Sequence, residues 1–412
     1  MDTSPNFVCT ACSCLCDDIE VEFDGTGLKH ISKACVRGVN FFNLSESSLR
    51  NPVAQVSGNE VLLDEAVETA SQLLKKSRRT VVFGLDNSTT EAQEVGIRLA
   101  QKLEAVVDDC SSFCHGALVE SIIKGFIPTC LLSQVRDNAD LLLYWGSNPY
   151  HSHPRHMSRF SYYSYTDYVE AGWIPKTTLS CIEVRDTELS ALCKPVFRIK
   201  PGEDKDFIKL IIDEMHGESS SEKARDFVRL VRESDFCVIF AGLGLTYSLD
   251  NDFSLFTTMI QQFNQSTRMA VIPMIGHFNM RGFNQSLYSK TGYVNKVGFI
   301  NGVTHGDQFS FLELLHTGQL DCVLIVGSDP FTSFPGSLAA NLHRIPLICL
   351  DPVPTPTTKY ADVVFGTAIS GLESGGKAVR MDGEEVALVK GVSCSYPSDE
   401  EVLNLLLEAV TR

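Results

Sequence analysis

Residues 9–16 read CTACSCLC, which places Cys9, Cys12 and Cys16 at C-x2-C-x3-C spacing, with Cys35 following in ACVRG. Three bunched thiolates and a fourth from further along the chain can wrap one iron–sulfur cluster. A zinc site would more naturally show two separated pairs. The pattern therefore favours a [4Fe-4S] cluster held by Cys9, Cys12, Cys16 and Cys35, with Cys14 outside the ligand set. The plain alternative is a cysteine-rich loop without metal. HSHPRH at 151–156 offers three histidines, but Pro154 breaks the run and the three cannot share one helix face, so a zinc site is rejected there.

A second chemical signal is a repeat. GSNPYHSHP at 146–154 and GSDPFTSFP at 327–335 share G-S-[N/D]-P-[Y/F]-x-S-x-P, and each follows an apolar strand, LLLYW or VLIV. A strand ending in an acid follows each copy: CIEVRD with Asp186, then FRIKPG with Gly202, and ICLD with Asp351, then ADVVFG. Gly, Ser and Pro are ordinary turn formers, but nine positions in the same pattern argue for one loop used twice. Such turns can offer backbone N–H groups and short polar side chains to a polar ligand. Gly146, Ser147, Asn148 and Pro149 would line one half-site, and Gly327, Ser328 and Asp329 the other.

The elements that must position these loops alternate. LLDEAVETASQLLKK, TTEAQEVGIRLAQKLEA (with a Thr cap) and DKDFIKLIIDEM carry a helical period. RRTVVFG, ADLLLYWGSNP, TTLSCIEV, DFCVIFAGLG, MAVIPMIG, DCVLIVGSDP, IPLICLD and ADVVFG are short apolar runs bounded by Gly, Pro or Asp. Strands alternating with helices predict an α/β chain with largely parallel sheets. Ligands in such sheets sit at the carboxyl ends of strands. DDIEVEFDGTGLKHIS reads as a hairpin turning at DGTG. The expected organisation is a small β subdomain over 1–55, a first α/β domain over 56–215 and a second over 216–412, with HGESSSEK at 216–223 as the polar break; the two α/β domains could interleave.

The chain has 412 residues, 44% hydrophobic, enough for more than one core, and its net charge of -16 argues against nucleic acid or an anionic membrane as partner. MDTSPNF shows neither a basic nor an apolar leader region, and no run is long and apolar enough for a membrane span. Fourteen cysteines are then expected to be reduced thiols or metal ligands in the cytoplasm.

In this order the motifs resemble the molybdopterin oxidoreductases: a C-x2-C-x3-C…C cluster loop, a strand followed by GSNP, an acid before a strand ending in KPG, and KYADVVFGTAISGLESGGKAVRMDG late in the chain. CLCDDIEV, VDDCSSFCHG, WGSNPYHSHPRHMSR and HFNMRGFNQ are similar, more closely, to the family of formylmethanofuran dehydrogenase B subunits. The resemblance covers nearly the whole chain. It implies a [4Fe-4S] subdomain and two interleaved Rossmann-like domains without the C-terminal β-barrel domain of larger relatives. It also implies tungsten or molybdenum held by two pterin cofactors, of the guanine dinucleotide kind.

By the same resemblance Cys114, in CHG, is the protein ligand to that metal, with Cys110 nearby a structural thiol. His115 moves the proton and Arg281, flanked by Asn279, Gly282 and Asn284 in a site loop, holds a carboxylate. Arg155 and His156 donate to the cofactor, and Arg37 lies between cluster and pterin. YYSYTDY at 162–168 and NFF at 40–42 are packing or subunit contacts. The implied activity is reversible reduction of carbon dioxide to formate, which passes to an amidohydrolase subunit. Polyferredoxin-like subunits and a subunit supplying the β-barrel domain are the other implied partners. A non-redox scaffold of a formyltransferase/hydrolase complex and a stand-alone formate dehydrogenase are the alternatives.

Overall fold

A computed structural model describes residues 6–24, 27–163 and 177–412. The middle of the DGTG turn and residues 164–168 of YYSYTDY lie outside them. The chain divides into two compact units, one comprising 1–113, 277–380 and 385–412, the other 114–276 and 381–384. The second unit is thus inserted into the first. Residues 216–223, the best polar break in the sequence, connect the helices Asp204–Met215 and Glu222–Arg232 inside the inserted unit. The divisions fall instead at 113/114 and 276/277, where no change of composition marks them.

The inserted unit is built on five parallel strands: Leu141–Trp145, Thr178–Glu183, Val196–Arg198, Phe236–Ala241 and Arg268–Pro273. Numbered along the chain, they lie in the order 3-2-1-4-5. This is a doubly wound arrangement, whose ligand crevice lies at the carboxyl ends where strand order reverses. LLLYW and FCVIFA are buried at every position, as strands covered on both faces must be. Their core joins Trp145, Phe207, Phe227 and Phe256, and each such apolar side chain withdrawn from water contributes about 1.5–3 kcal/mol.

The other unit holds a nine-stranded sheet. Its five central strands, Val106–Asp108, Thr80–Gly84, Cys322–Val326, Leu347–Leu350 and Val363–Phe365, are parallel and run 2-1-3-4-5 in chain order. Short antiparallel strands close both edges. Strand order here reverses between the first and third strands, which puts the loops after Gly84 and Val326 at the ligand crevice. The helices Leu63–Lys76, Thr90–Lys102 and Asp399–Thr411 pack over this sheet, and Thr89 caps the second, accepting from Ala92 N at 3.3 Å.

Residues 6–55 belong to this unit. They carry the expected hairpin, Glu20–Asp24 with Gly27–Ser32, and then a helix, Val36–Phe42. Arg50 ties the segment down with a two-pronged bond to Glu373 at 2.7 and 3.0 Å, and with donations to Pro352 O and Thr367 O.

Candidate functional site

The cysteine loop closes on itself, Cys9 N donating to Cys16 O at 2.9 Å and Leu15 N to Cys12 O at 3.2 Å. Leu15 takes a left-handed turn, φ 40°, to make the closure. Cys35 caps the helix Val36–Phe42, and Gly38 lets that helix approach: a Cβ there would stand 3.2 Å from Cys9 Sγ. The sequence separates Cys35 from the loop, and the fold brings its helix back onto it.

The Cys12 thiol is pulled down to about 7, first by a hydrogen bond from the Cys14 thiol, with the Arg37 charge adding to it. Cys14 moves the opposite way, well above the usual thiol range, because it donates to Cys12 and is buried. One thiolate-prone sulfur thus stands beside a protonated neighbour. Arg37 donates to Ala11 O at 3.2 Å and so sits on the loop itself. Soft sulfur donors, one of them thiolate-prone near neutral pH, suit iron.

In the inserted unit, Cys114 follows a short 3-10 turn, Cys110–Phe113, and precedes the helix Gly116–Ile123, which His115 starts. Cys114 is half-buried and His115 is buried. Burial first, then the positive field of His153, lowers the His115 pKa to about 4. His115 is a neutral imidazole near pH 7, its Nδ1 3.4 Å from Thr246 Oγ1. His153, in turn, faces Ile275 O through Nε2 at 2.6 Å and Ser152 Oγ through Nδ1 at 2.9 Å. Tyr247 is pushed up by burial and then by the charge of Cys114.

Tyr247 also lines a cavity of about 490 Å³ with Gly146, Ser147, Asn148, Glu183 and Arg185. The cavity lies at the carboxyl ends of the strands, at the point of strand reversal, as the topology requires. Gly146 turns with φ 60°, and a Cβ on it would meet Leu245 N at 2.5 Å. Asn148 caps the turn Pro149–Ser152, accepting from Tyr150 N at 3.1 Å. Asp204 shares the cavity wall and is held by the Trp145 indole at 2.7 Å. Gly202, with φ 84°, is there too.

Three expected residues lie elsewhere. Asp186 is 99% exposed and pairs with Arg198 at 2.5 Å, while Glu183, three residues earlier on the strand, faces the cavity and is pushed up by burial. His156 is buried edge-on against Phe240, 4.6 Å between ring centroids, and both ring nitrogens lack hydrogen-bond partners among the described residues. Burial lowers it to about 3, so it is a neutral core histidine. Arg155 precedes its helix, and neither residue is among the described residues lining the cavity. Tyr247 and Thr246 do not stand out in the sequence apart from Gly242 and Gly244 nearby, whereas His153 lies in HSHPRH and Glu183 in CIEVRD, where the pattern gives neither a role.

The second loop reproduces the first in the other unit. Gly327 has φ 60°, Asp329 caps Pro330–Ser333, and Ser333 Oγ donates back to Asp329 O at 2.8 Å, as Ser152 Oγ does to Asn148 O at 3.1 Å. Gly327 N–H reaches Leu350 O on the next strand, as Gly146 N–H reaches Ile182 O. A cavity of about 180 Å³ adjoins it, lined by Thr10, Phe41, Asn87, Phe278 and Asp351. Asp351 is buried and pushed up to about 7, chiefly by that burial. Thr10 is one residue from Cys9, so this half-site adjoins the cysteine loop.

Arg281 lies in the same unit, 5% exposed, on the helix Met280–Thr291. NMRGFN is therefore helix and not the expected loop. Its asparagines are structural pins: Asn279 Oδ1 accepts from Val379 N at 2.7 Å, and Asn284 Nδ2 donates to Val294 O and Ser111 Oγ. Gly282 is there because Asn279 Oδ1 would stand 2.1 Å from a Cβ.

No protein-family model matches the chain. It is 30% identical to a Methanocaldococcus jannaschii protein named as the B subunit of tungsten-containing formylmethanofuran dehydrogenase 2, over 98% of each chain. It is 29% identical to the like-named protein of Methanococcus maripaludis, over 100% of this chain and 99% of that one. A chain of the formyltransferase/hydrolase complex of Methylorubrum extorquens, solved with methylofuran, superposes with a TM-score of 0.70 at 20% identity, over 87% of this chain and 98% of that one; the likeness is one of fold.

Proposed function

The chain belongs to the family of formylmethanofuran dehydrogenase B subunits, and from that membership we propose that it is the pterin-bearing redox subunit, interconverting carbon dioxide and formate at tungsten or molybdenum. The observation that carries the reading is the pairing of two thiol sites with two copies of one ligand loop. Both named relatives are tungsten-containing by name. When bound, the pterin-held metal would exchange an electron pair with the one-carbon substrate, and the [4Fe-4S] cluster would relay single electrons.

The chain's own residues would do the rest. Cys9, Cys12, Cys16 and Cys35 would hold the cluster, and Cys114 the metal. Gly146, Ser147, Asn148, Glu183 and Gly202 would take one guanine dinucleotide pterin in the wide cavity. Gly327, Ser328 and Asp351 would take the other. Arg37, seated on the cysteine loop, would bias electron transfer by its charge. His115, kept neutral by burial, accepts the proton released when formate is oxidised and returns it in the reverse direction. Arg281 would hold the carboxylate through its guanidinium. An amidohydrolase subunit would take the formate, polyferredoxin-like subunits would supply electrons, and a further subunit would carry the β-barrel domain, all in the cytoplasm. Among the described residues no helix is long and apolar enough to cross a membrane.

The test is formate-dependent reduction of a viologen dye by the anaerobically purified complex. Cys114→Ala should abolish it, and His115→Ala should lower it by about 10² to 10⁴-fold. A complex that transfers formyl groups but reduces no dye, in the parent as in the variants, would instead establish the scaffold role that the fold likeness also accommodates.

A further inference from the structure

The first and second parallel strands of the nine-stranded sheet end in Gly84–Leu85–Asp86 and Asp108–Asp109–Cys110. The first of these ends borders the point where strand order reverses, between the first and third strands, the place such sheets reserve for ligands, and the second lies on the strand beside it. His277 joins them from the turn before the helix Met280–Thr291. That turn is fastened to the first loop: Asn279 N donates to Asp86 O at 3.0 Å, and Asn279 Nδ2 to Ser88 O at 2.8 Å. Ser111, next to Cys110, is gripped by Asn284 and Asn295 at 2.9 and 2.8 Å. Three separate stretches of chain are thereby pinned around one point.

Asp86, Cys110 and His277 each bring one ligand atom there, all within 4.8 Å of one another. His277 Nδ1 is 2.6 Å from Asp86 Oδ2. Asp86 is 0% exposed, and its other oxygen, Oδ1, has no hydrogen-bond partner among the described residues. Asp109, also 0% exposed, leaves its Oδ2 in the same condition. Unpaired buried carboxylate oxygens are costly, more so two in one neighbourhood, unless a cation answers them. Arg37 is close enough for its field to reach His277, but its guanidinium does not take up Asp86 Oδ1.

We propose that Asp86, Cys110 and His277 form a site for one divalent zinc ion. A carboxylate, a thiolate and an imidazole are the borderline donor set zinc prefers over magnesium or calcium. Three protein ligands leave a fourth position for water or another small ligand, and the His277 side chain, 35% exposed, gives an approach to it. Binding displaces the Cys110 thiol proton and any proton shared by His277 and Asp86, so protons are released to solvent. The site uses none of the residues assigned to the iron–sulfur cluster or to the pterin-held metal, and it stands or falls apart from them.

Two measurements on the full chain test it. Crystals grown with zinc chloride are measured on either side of the zinc absorption edge, and an anomalous peak is expected between Asp86, Cys110 and His277. In solution, Co²⁺ is titrated and followed by thiolate-to-cobalt charge-transfer absorption. The cysteine loop also takes cobalt, so the reading is a difference. The parent should bind one equivalent more than Cys110→Ala or His277→Gln, and a Cys9→Ser, Cys12→Ser double variant should keep that equivalent. The crystal measurement needs no variant, so misfolding cannot mask it. No peak at saturating zinc, or equal cobalt uptake by the parent and a folded Cys110→Ala, overturns the site.

Discussion

The loops at 146–149 and 327–330 share a backbone and differ in what surrounds it. Both glycines sit at φ 60°, both third residues cap a four-residue helix with proline at its start, and both second serines are buried. Asn148 keeps its amide outward, on Glu188 at 3.1 Å, and the space beside it is about 490 Å³. Asp329 is consumed by its own unit, accepting from Thr357 N, Thr357 Oγ1 and Thr332 Oγ1, and the space beside it is about 180 Å³, walled partly by Phe41 and Phe278. A repeated motif thus fixes main-chain geometry, and the neighbouring side chains decide how much of a ligand each copy can admit. The wide copy is lined by Tyr247, whose phenol feels the charge of Cys114; the narrow copy adjoins the cysteine loop through Thr10.

The acids beside the loops should separate the copies most strongly. Asp351 is raised from 3.8 to about 7 by burial. A carboxyl with a raised folded pKa binds more protons when folded, so its favourable contribution is complete below about pH 4 and lost as pH rises through about 7. That loss is on the order of 4 kcal/mol at most. Asp351→Asn should flatten the fall of thermal stability across this range, and Glu183→Gln, in the more open copy, should flatten it less. Equal slopes in the parent and Asp351→Asn would break the comparison.

Alanine at the two glycines comes next. Gly146→Ala drives a Cβ to 2.5 Å from Leu245 N, a backbone atom, whereas Gly327→Ala meets Asn87 Cβ at 3.2 Å. Denaturant unfolding should show about 3 kcal/mol lost for Gly146→Ala against about 1 kcal/mol for Gly327→Ala. Reversed order would mean that the tight approach of Gly146 is not maintained in solution. The caps are smaller. Asp329→Ala leaves Thr357 N and two hydroxyls without their acceptor and should cost about 2 kcal/mol, and Asn148→Ala about 1 kcal/mol, by the same measurement.

Much of this was legible in the chain. Buried parallel strands announce themselves as unbroken apolar runs, and LLLYW, FCVIFA and CVLIV are strands. DKDFIKLIIDEM is a helix over Asp204–Met215, because its apolar residues recur on one face. The twin loops were readable because their geometry depends on glycine and proline, which few residues can replace. The resemblance implied that the two domains interleave, but the crossing points at 113/114 and 276/277 were not readable, since they are made without polar linkers. The position of Asp186 was not readable either: the strand Thr178–Glu183 ends three residues before it, so Asp186 lies in the following loop, and the carboxyl-end acid that lines the cavity is Glu183. His156 sits in polar sequence yet packs on Phe240, a residue 84 positions away, and only tertiary contact reveals it. Arg281 looked loop-borne because Asn and Gly flank it, but those residues are there to let a helix pack closely.

The central claim is that the thiols of the cysteine loop and of Cys114 hold redox metals. Elemental analysis of the chain, isolated anaerobically from an organism that makes it, tests this most directly. The account predicts about four irons and one tungsten or molybdenum per chain. A folded chain in a working complex, with neither iron nor tungsten nor molybdenum, would contradict it.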